Sequence, residues 1–565
     1  MDFERDFMKV LEKLGVKNRL GKINLVGAVF NVYILLIMSY LMLYLHNGKY
    51  GNATPYKQQR FLEITLYTAI ALLVVLIVQT VVRKLLKQPA LRINSLNGAI
   101  SVTSIFAAGF LLINFICALC SPYLGVLNSS GRSMVYFGGD AYNTAARCEG
   151  LIFTLIYIVI FFLASIYGRL NNITVSIIAL TMIVMAGIGM VQLLGWNIFN
   201  ICYTRYYAHG GGRLYVSTVG QHNIYSIAGT LLLSFCGGCF IGHKKLNIFT
   251  RALCFVAFSM GCAYHLCLDV SAGKLALVLA VILLFPYMLA NPQTRKQTVT
   301  LSIGLLLAVM YKLCVIPYYP KKIGFDYDLQ MSNGKEIALI IVLLIGARIA
   351  LHFFNDKIRG KWVLFTLYGM TGIIGAMMVY YFRYNLVVSD NSADLIKELS
   401  SLFKGDIVLT SGTYRLANWV ASMEILKEFP ILGSGPGTFY RAFTDYSLDL
   451  YQLVRPGYYV DLAHNDYVQY LCTLGIVGFV AYLGFIGSIL VRAVRRFNKN
   501  PLVIGLSFSV VMFLIQNFFI FSLVATAPSF FIILGLLERE IRNTPVLSRK
   551  EKKKMREEML KDEEL

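Results

Sequence analysis

Within "DLAHNDYVQYLCTLGIVGFVAYLGF" (461–485), His464, Asn465 and Asp466 stand directly ahead of an apolar run long enough to cross a bilayer. Upstream, "TYRLANWVASMEILKEF" (413–429) carries Arg415 and Trp419, and "ILGSGPGTF" (431–439) carries Gly435 and Gly437. Each type brings a distinct capability. An imidazole, with an ordinary pKa of about 6.5, can take up or release a proton near neutrality. A guanidinium stays charged and grips an oxyanion at two points. Three glycines and a proline in so short a space force a tight, irregular main chain that a substrate could approach closely. The stretch is not a P-loop, because no Gly-Lys-Ser/Thr ends it and no strand precedes it.

The elements that must position these residues are membrane helices. With 57% hydrophobic and 15% charged residues, the chain reads as polytopic. Runs of roughly 20 apolar residues, enough for a hydrocarbon core of about 30 Å, recur about fourteen times between residues 23 and 538. Unpaired backbone groups are intolerable in lipid, so such runs are helices. The fold class expected is an all-α transmembrane bundle with one large helical outer loop. Residues 1–381 form an N-terminal bundle of about eleven spans, 382–466 the loop, 467–541 the C-terminal spans and 542–565 a charged cytoplasmic tail. A structureless loop of about 85 residues would be unusual, so amphipathic helices are expected at 392–403 and 413–429. The second would start after Thr410 and Ser411 as N-caps, stop at Pro430, and share Leu416, Val420 and Met423 on one face.

Basic residues stay on the cytoplasmic side. With both termini inside, 31 of the 52 Lys and Arg fall in inner segments and 18 in outer ones. The net charge of +22 is therefore mainly a topology signal, with attraction to anionic lipid as a second effect, and nucleic acid is not an expected partner. The first 22 residues are polar and lack the form of a signal peptide, so the first span is expected to be retained. Most of the eleven cysteines, Cys236 and Cys239 among them, lie inside apolar runs and read as small buried residues. Neither a metal site nor a disulfide framework is expected.

The order Arg415, Trp419, "PILGSGPGTF", "HNDYVQYLCTLGIVGF" resembles, over roughly 410–485, the large periplasmic loop and following span of the O-antigen ligase and polymerase family. Two weaker echoes lie upstream. "STVGQHNIYSIAG" (217–229) is similar to that family's Gly-x-x-Asn opening of a middle span, and "SAGKLALVLAVI" (271–282) to its small-residue-then-arginine motif, with Lys274 in place of the arginine. A lysine lacks the planar two-point grip of a guanidinium.

The resemblance implies a metal-independent, inverting glycosyltransferase of the GT-C type, working without a cofactor on the outer face of the bacterial cytoplasmic membrane. It would move a glycan from an undecaprenyl-diphosphate donor to a glycan, lipid or protein hydroxyl. The bilayer and other surface-polysaccharide assembly proteins are the remaining partners expected. Arg415 is the leading candidate to stabilise the departing diphosphate, with Arg213 and Lys274 next. His464 is the candidate base for the acceptor hydroxyl, held neutral because the positive end of a helix dipole disfavours an imidazolium. Trp419, Asn465, Asp466, Gly435 and Gly437 complete the expected substrate site.

Bland roles exist for the same residues. His464 could simply cap its helix, Arg415 could snorkel to head groups, and Arg213 and Lys274 could anchor span ends. His222 is a second imidazole at a helix start, and Glu149 could pair with Arg147. Asp466 reads either as a first-turn carboxylate favoured by the helix dipole or as an orienter of His464 or the acceptor. A different class, a lipid-linked polysaccharide flippase or exporter, would also have about fourteen spans. A transporter, however, should show related halves and broken or charged helices at mid-membrane, whereas the polar inventory here sits in one outer loop.

Overall fold

The computed structural model describes residues 25–48, 53–85, 101–128, 130–138, 149–194, 196–201, 216–268, 270–315, 334–385, 400–406, 408–412 and 414–544. Arg147, Arg213, residues 392–399 of the expected loop helix, and most of the charged tail lie outside them. Among the described residues the protein is helical, with a single isolated bridge between Leu127 and Ser133 in place of any strand.

The helices that build the bundle are α1 (Leu25–Leu35), α2 (Ala53–Leu85), α3 (Val102–Leu119), α4 (Leu151–Tyr167), α5 (Asn172–Leu193), α6 (His222–Gly242), α7 (Ile248–Cys267), α8 (Ser271–Ala290), α9 (Arg295–Val315), α10 (Gly334–Phe354) and α11 (Gly360–Tyr380). The loop adds α12 (Arg415–Glu428), α13 (Phe439–Tyr446) and α14 (Leu448–Val454), after which α15 (Asp466–Val494), α16 (Pro501–Gln516) and α17 (Ala527–Arg542) return to the bundle. Eleven described helices are long and apolar enough to cross a membrane, against the fourteen runs expected from sequence. The difference lies in α4, α16 and α17, which have 17, 16 and 16 residues. At 1.5 Å per residue such helices reach only about 25 Å, and α17 ends in Glu538, Arg539, Glu540 and Arg542.

Several starts are fixed by polar caps, which satisfy amides that would otherwise face lipid. Ser101, Asn171, Asn247, Asn465 and Asn500 each accept a first-turn N–H. Beyond α1, where the first span ends, the buried Lys57 side chain donates to the carbonyls of Leu41 (2.6 Å) and Met42 (3.0 Å).

Helix α6 is the axis of the bundle. It packs on α7 and α16, and 89% of its span is buried. It meets α16 where Gly238 and Gly505 face each other, so closely that a Cβ on Gly238 would fall 2.1 Å from the Gly505 carbonyl oxygen, the small-residue contact that lets membrane helices approach. By contrast, α10 and α11 expose nearly their whole length, with 6% and 0% of their spans buried.

A second, smaller core sits over one end of the bundle. Ala417, Ala421, Ile425, Phe439, Phe443, Tyr451 and Val460 of the loop pack there with Tyr123, Val135 and Leu151. The expected helix at 413–429 is thus present as α12, with two corrections. Its N-cap is Tyr414, in the left-handed region at φ 66° with no side-chain cap, rather than Thr410 or Ser411. Its buried face is Ala417, Asn418, Ala421, Ser422 and Ile425, while Val420 of the expected apolar row is 44% exposed. Small residues win that face because α12 lies close against α15, where Cys472 Sγ donates to the Ser422 carbonyl at 3.2 Å.

Candidate functional site

The glycine-rich turn and α15 explain each other. Helix α15 is interrupted at Gly475 (φ 64°, ψ −172°), which strips main-chain groups of their helical partners. Each such group would cost several kcal/mol in lipid. The turn supplies replacements. Ser434 N donates to Cys472 O (3.0 Å) and Gly435 N to Thr473 O (2.8 Å), while Ile476 N and Val477 N donate to Pro430 O (2.9 Å) and Ile431 O (3.2 Å). The seam tolerates no side chain: a Cβ on Gly475 would fall 2.3 Å from Ile431 O, and one on Gly433 2.3 Å from Thr473 C. Gly435 and Gly437 also have positive φ, the first packed on Ser121 and the second on Gly138. The tight main chain read from the sequence is therefore first a splice for a broken helix.

This splice holds the loop's chemistry over the bundle end. The Tyr123 hydroxyl donates to Asp445 Oδ2 at 3.0 Å, and burial together with that carboxylate holds its pKa well above the ordinary phenol value. From α12, Asn418 Nδ2 donates to Leu462 O (2.9 Å) and Trp419 Nε1 to Ala463 O (3.0 Å). Gln469 Oε1 accepts from Ala463 N (3.0 Å), so the two residues ahead of His464 are clamped from both sides. Arg415 precedes Trp419 by four residues and shares its helix face. The expected trio of arginine, glycine turn and histidine thus folds into one cap.

His464 itself adopts a left-handed conformation, φ 53°, uncommon for a residue with a Cβ and costing about 1–3 kcal/mol unless the surroundings impose it. Its side chain is 38% exposed, Nε2 lies 4.0 Å from Asp461 Oδ1, and its ring meets the edge of Phe521 at 5.0 Å. Asn465 is the helix cap, its Oδ1 accepting from Tyr467 N (2.9 Å) and Val468 N (3.2 Å). Asp466 occupies the first turn, and its carboxylate accepts from Asn517 Nδ2 (2.6 Å), Ser522 N (3.0 Å) and Ser522 Oγ (2.5 Å). These contacts tie Asp466 to the α16–α17 connection. The carboxylate beside the imidazole is Asp461.

Beneath the turn lies a cavity of about 60 Å³ bordered by Pro436, Gly437, Asp466, Gln469, Tyr470 and Glu149, space for a few waters. Gln469 Nε2 donates to Glu149 Oε2 at 3.2 Å. Lys274, half-buried in the first turn of α8, follows Gly273, which packs directly against His265 and Ser226. Gln516 Nε2 donates to Ser226 Oγ at 2.7 Å, and its neighbour Asn517 holds Asp466, so the ends of α6, α8, α15 and α16 are linked. Among the described residues no three His, Cys, Asp or Glu side chains gather as metal ligands would.

Sequence reasoning missed Asn418, Gln469, Asn517 and Ser522. The i,i+3 spacing of Asp461 to His464 and of Asp466 to Gln469 was visible in the chain. No local pattern could have joined Asp466 to Asn517 and Ser522, 51 and 56 residues away.

Residues 329–483 match the O-antigen ligase family. No curated protein matches the chain. The matched region runs through α10, α11 and the cap and past the break at Gly475, so this part of the chain is similar to the O-antigen ligase family, within a multi-pass membrane protein.

Proposed function

We propose that this protein transfers a glycan from an undecaprenyl-diphosphate donor to an acceptor hydroxyl at the outer face of a bacterial cytoplasmic membrane. In this reading α4, α16 and α17 also span, giving fourteen crossings with both termini inside and the cap outside. The acceptor oxygen forms its bond to the anomeric carbon as the bond from that carbon to the diphosphate breaks. The leaving diphosphate takes the electron pair, and the hydroxyl proton passes to His464. Displacement in one step inverts the anomeric centre. Arg415, with Lys274 and Arg213, offsets the charge growing on the diphosphate, and Asp461 stabilises the imidazolium that forms. Trp419, Asn465 and Asp466 hold the site's frame, and Gly435 and Gly437 shape its floor.

The observation that carries this reading is the clamp on residues 462 and 463. Asn418 and Trp419 grip the main chain just ahead of a left-handed, half-exposed histidine, one turn from Arg415. Strain maintained by surrounding contacts marks sites of function. The test is glycan analysis of cells carrying His464→Ala or Arg415→Ala at normal membrane levels. Both should lose transfer; normal product length and yield in both would end the proposal. In a deletion strain, single accumulated repeats indicate a lipid-linked glycan acceptor, and long unattached chains a lipid or protein anchor.

A further inference from the structure

The end of the bundle opposite the cap holds a second cavity, of about 690 Å³, between the α4–α5, α6–α7 and α15–α16 connections and the last turns of α17. Arg169, Lys244, Lys245, Lys499 and Arg539 line it against one carboxylate, Glu540. That carboxylate already accepts from Asn500 Nδ2 at 3.0 Å. Three of the cations are engaged: Arg539 donates to the Ile166 and Gly168 carbonyls, Lys244 to Gln293 Oε1 at 3.0 Å, and Lys499 also has a partner. The side chains of Arg169 and Lys245 are exposed and make no hydrogen bond or ion pair among the described residues. Glu538, the buried carboxylate two residues earlier on α17, is paired with Arg492 at 2.7 Å. Four segments far apart in sequence thus enclose a space whose lining carries five cations and one carboxylate.

Beside the cavity, on the first turns of α5 and α7, Ile173, Ile248 and Phe249 are 70%, 88% and 66% exposed. A cationic chamber at the end of membrane helices, flanked by bare apolar side chains, has the chemistry of a phospholipid site, with phosphate in the chamber and acyl chains on the shoulder. We infer that this cavity binds the headgroup of an anionic glycerophospholipid. The apolar shoulder favours a lipid over free phosphate, and the site is independent of the transfer reaction proposed above.

The test uses the full chain in detergent, with retained phosphatidylglycerol and phosphatidylcholine compared by native mass spectrometry. Wild type should favour phosphatidylglycerol by about tenfold or more, given the attraction of several basic residues. Arg169→Gln/Lys245→Gln/Lys499→Gln should abolish that preference without lowering the melting temperature, since all three side chains are exposed. The charge-keeping Arg169→Lys/Lys245→Arg/Lys499→Arg variant should retain it, as should Lys296→Gln/Lys361→Gln/Arg495→Gln, which removes three cations from the same end outside the cavity. No preference in wild type, no effect of the first triple, or an equal loss in the last would overturn the inference. Inorganic phosphate binding as tightly as the lipid, and displacing it, would overturn the lipid assignment in favour of a soluble anion.

Discussion

The cap and the cationic chamber at the opposite end of the bundle use polar residues in different ways. Under the cap many polar groups of α15 and its neighbours are matched to specific partners. The turn donates to α15, α12 grips residues 462 and 463, and Asp466 holds the α16–α17 connection. At the far end, the side chains of Arg169 and Lys245 stand around an open chamber and make no described hydrogen bond or ion pair. Groups fixed by many partners define a geometry before any substrate arrives, which is what stabilising a transition state requires. Loosely held cations supply a field that suits a mobile anion. The same residue types therefore carry different meanings according to how densely they are partnered.

The sharpest way to break this contrast is to open the splice. Gly475→Ala places a Cβ 2.3 Å from Ile431 O at a φ of 64° and should part four main-chain hydrogen bonds, at about 1 kcal/mol each. A loss of about 4 kcal/mol in unfolding free energy is expected. Cys472, fully buried in wild type, should become reactive to maleimide. Unchanged melting and an unreactive Cys472 would mean the seam is not structural. Next in size, His464→Ala and Arg415→Ala should each lower transfer by roughly 10²- to 10⁴-fold with melting nearly unchanged, measured in vitro with a lipid-linked donor. Asp466→Ala leaves Asn517 and Ser522 without their acceptor and should cost about 2–3 kcal/mol, read by thermal unfolding. An Asp466→Ala protein as stable as wild type would show that the α16–α17 connection is held from elsewhere.

Helices and their polar caps were legible because each rests on neighbours in the chain: the apolar runs, Asn465 before α15, and Pro430 after α12. The cap's interior was not. The 3.6-residue pattern picked out Leu416, Val420 and Met423, yet the face that packs on α15 is made of alanine, serine and asparagine, chosen for close approach rather than hydrophobicity. The role of "ILGSGPGTF" was hidden for the same reason. A break at Gly475 is invisible within an apolar run whose single glycines look ordinary, and only the facing backbone reveals why Gly433 and Gly475 are both needed. At the candidate site, Arg415 and His464 could be singled out as candidates because charged and titratable residues stand out beside membrane spans. Asp461, Asn418 and Gln469 could not be ranked, since their importance comes from what they touch.

The smallest effect is expected from Trp419→Phe, and it bears most directly on how the site is held. Phenylalanine keeps a ring against Phe518, whose centroid lies 5.6 Å from that of Trp419, but removes the N–H that donates to Ala463 O. The lost hydrogen bond should cost about 1 kcal/mol of stability. If that bond keeps His464 left-handed, transfer should also fall, by about tenfold in kcat with KM little changed, because the imidazole drifts while donor contacts persist. On a His464→Ala background the same substitution should still lower stability yet cause no further loss of residual transfer, since two residues acting through one element are not additive. Additive losses in the double variant would show that the indole serves the reaction by another route, and that the clamp on residue 463 does not position the histidine.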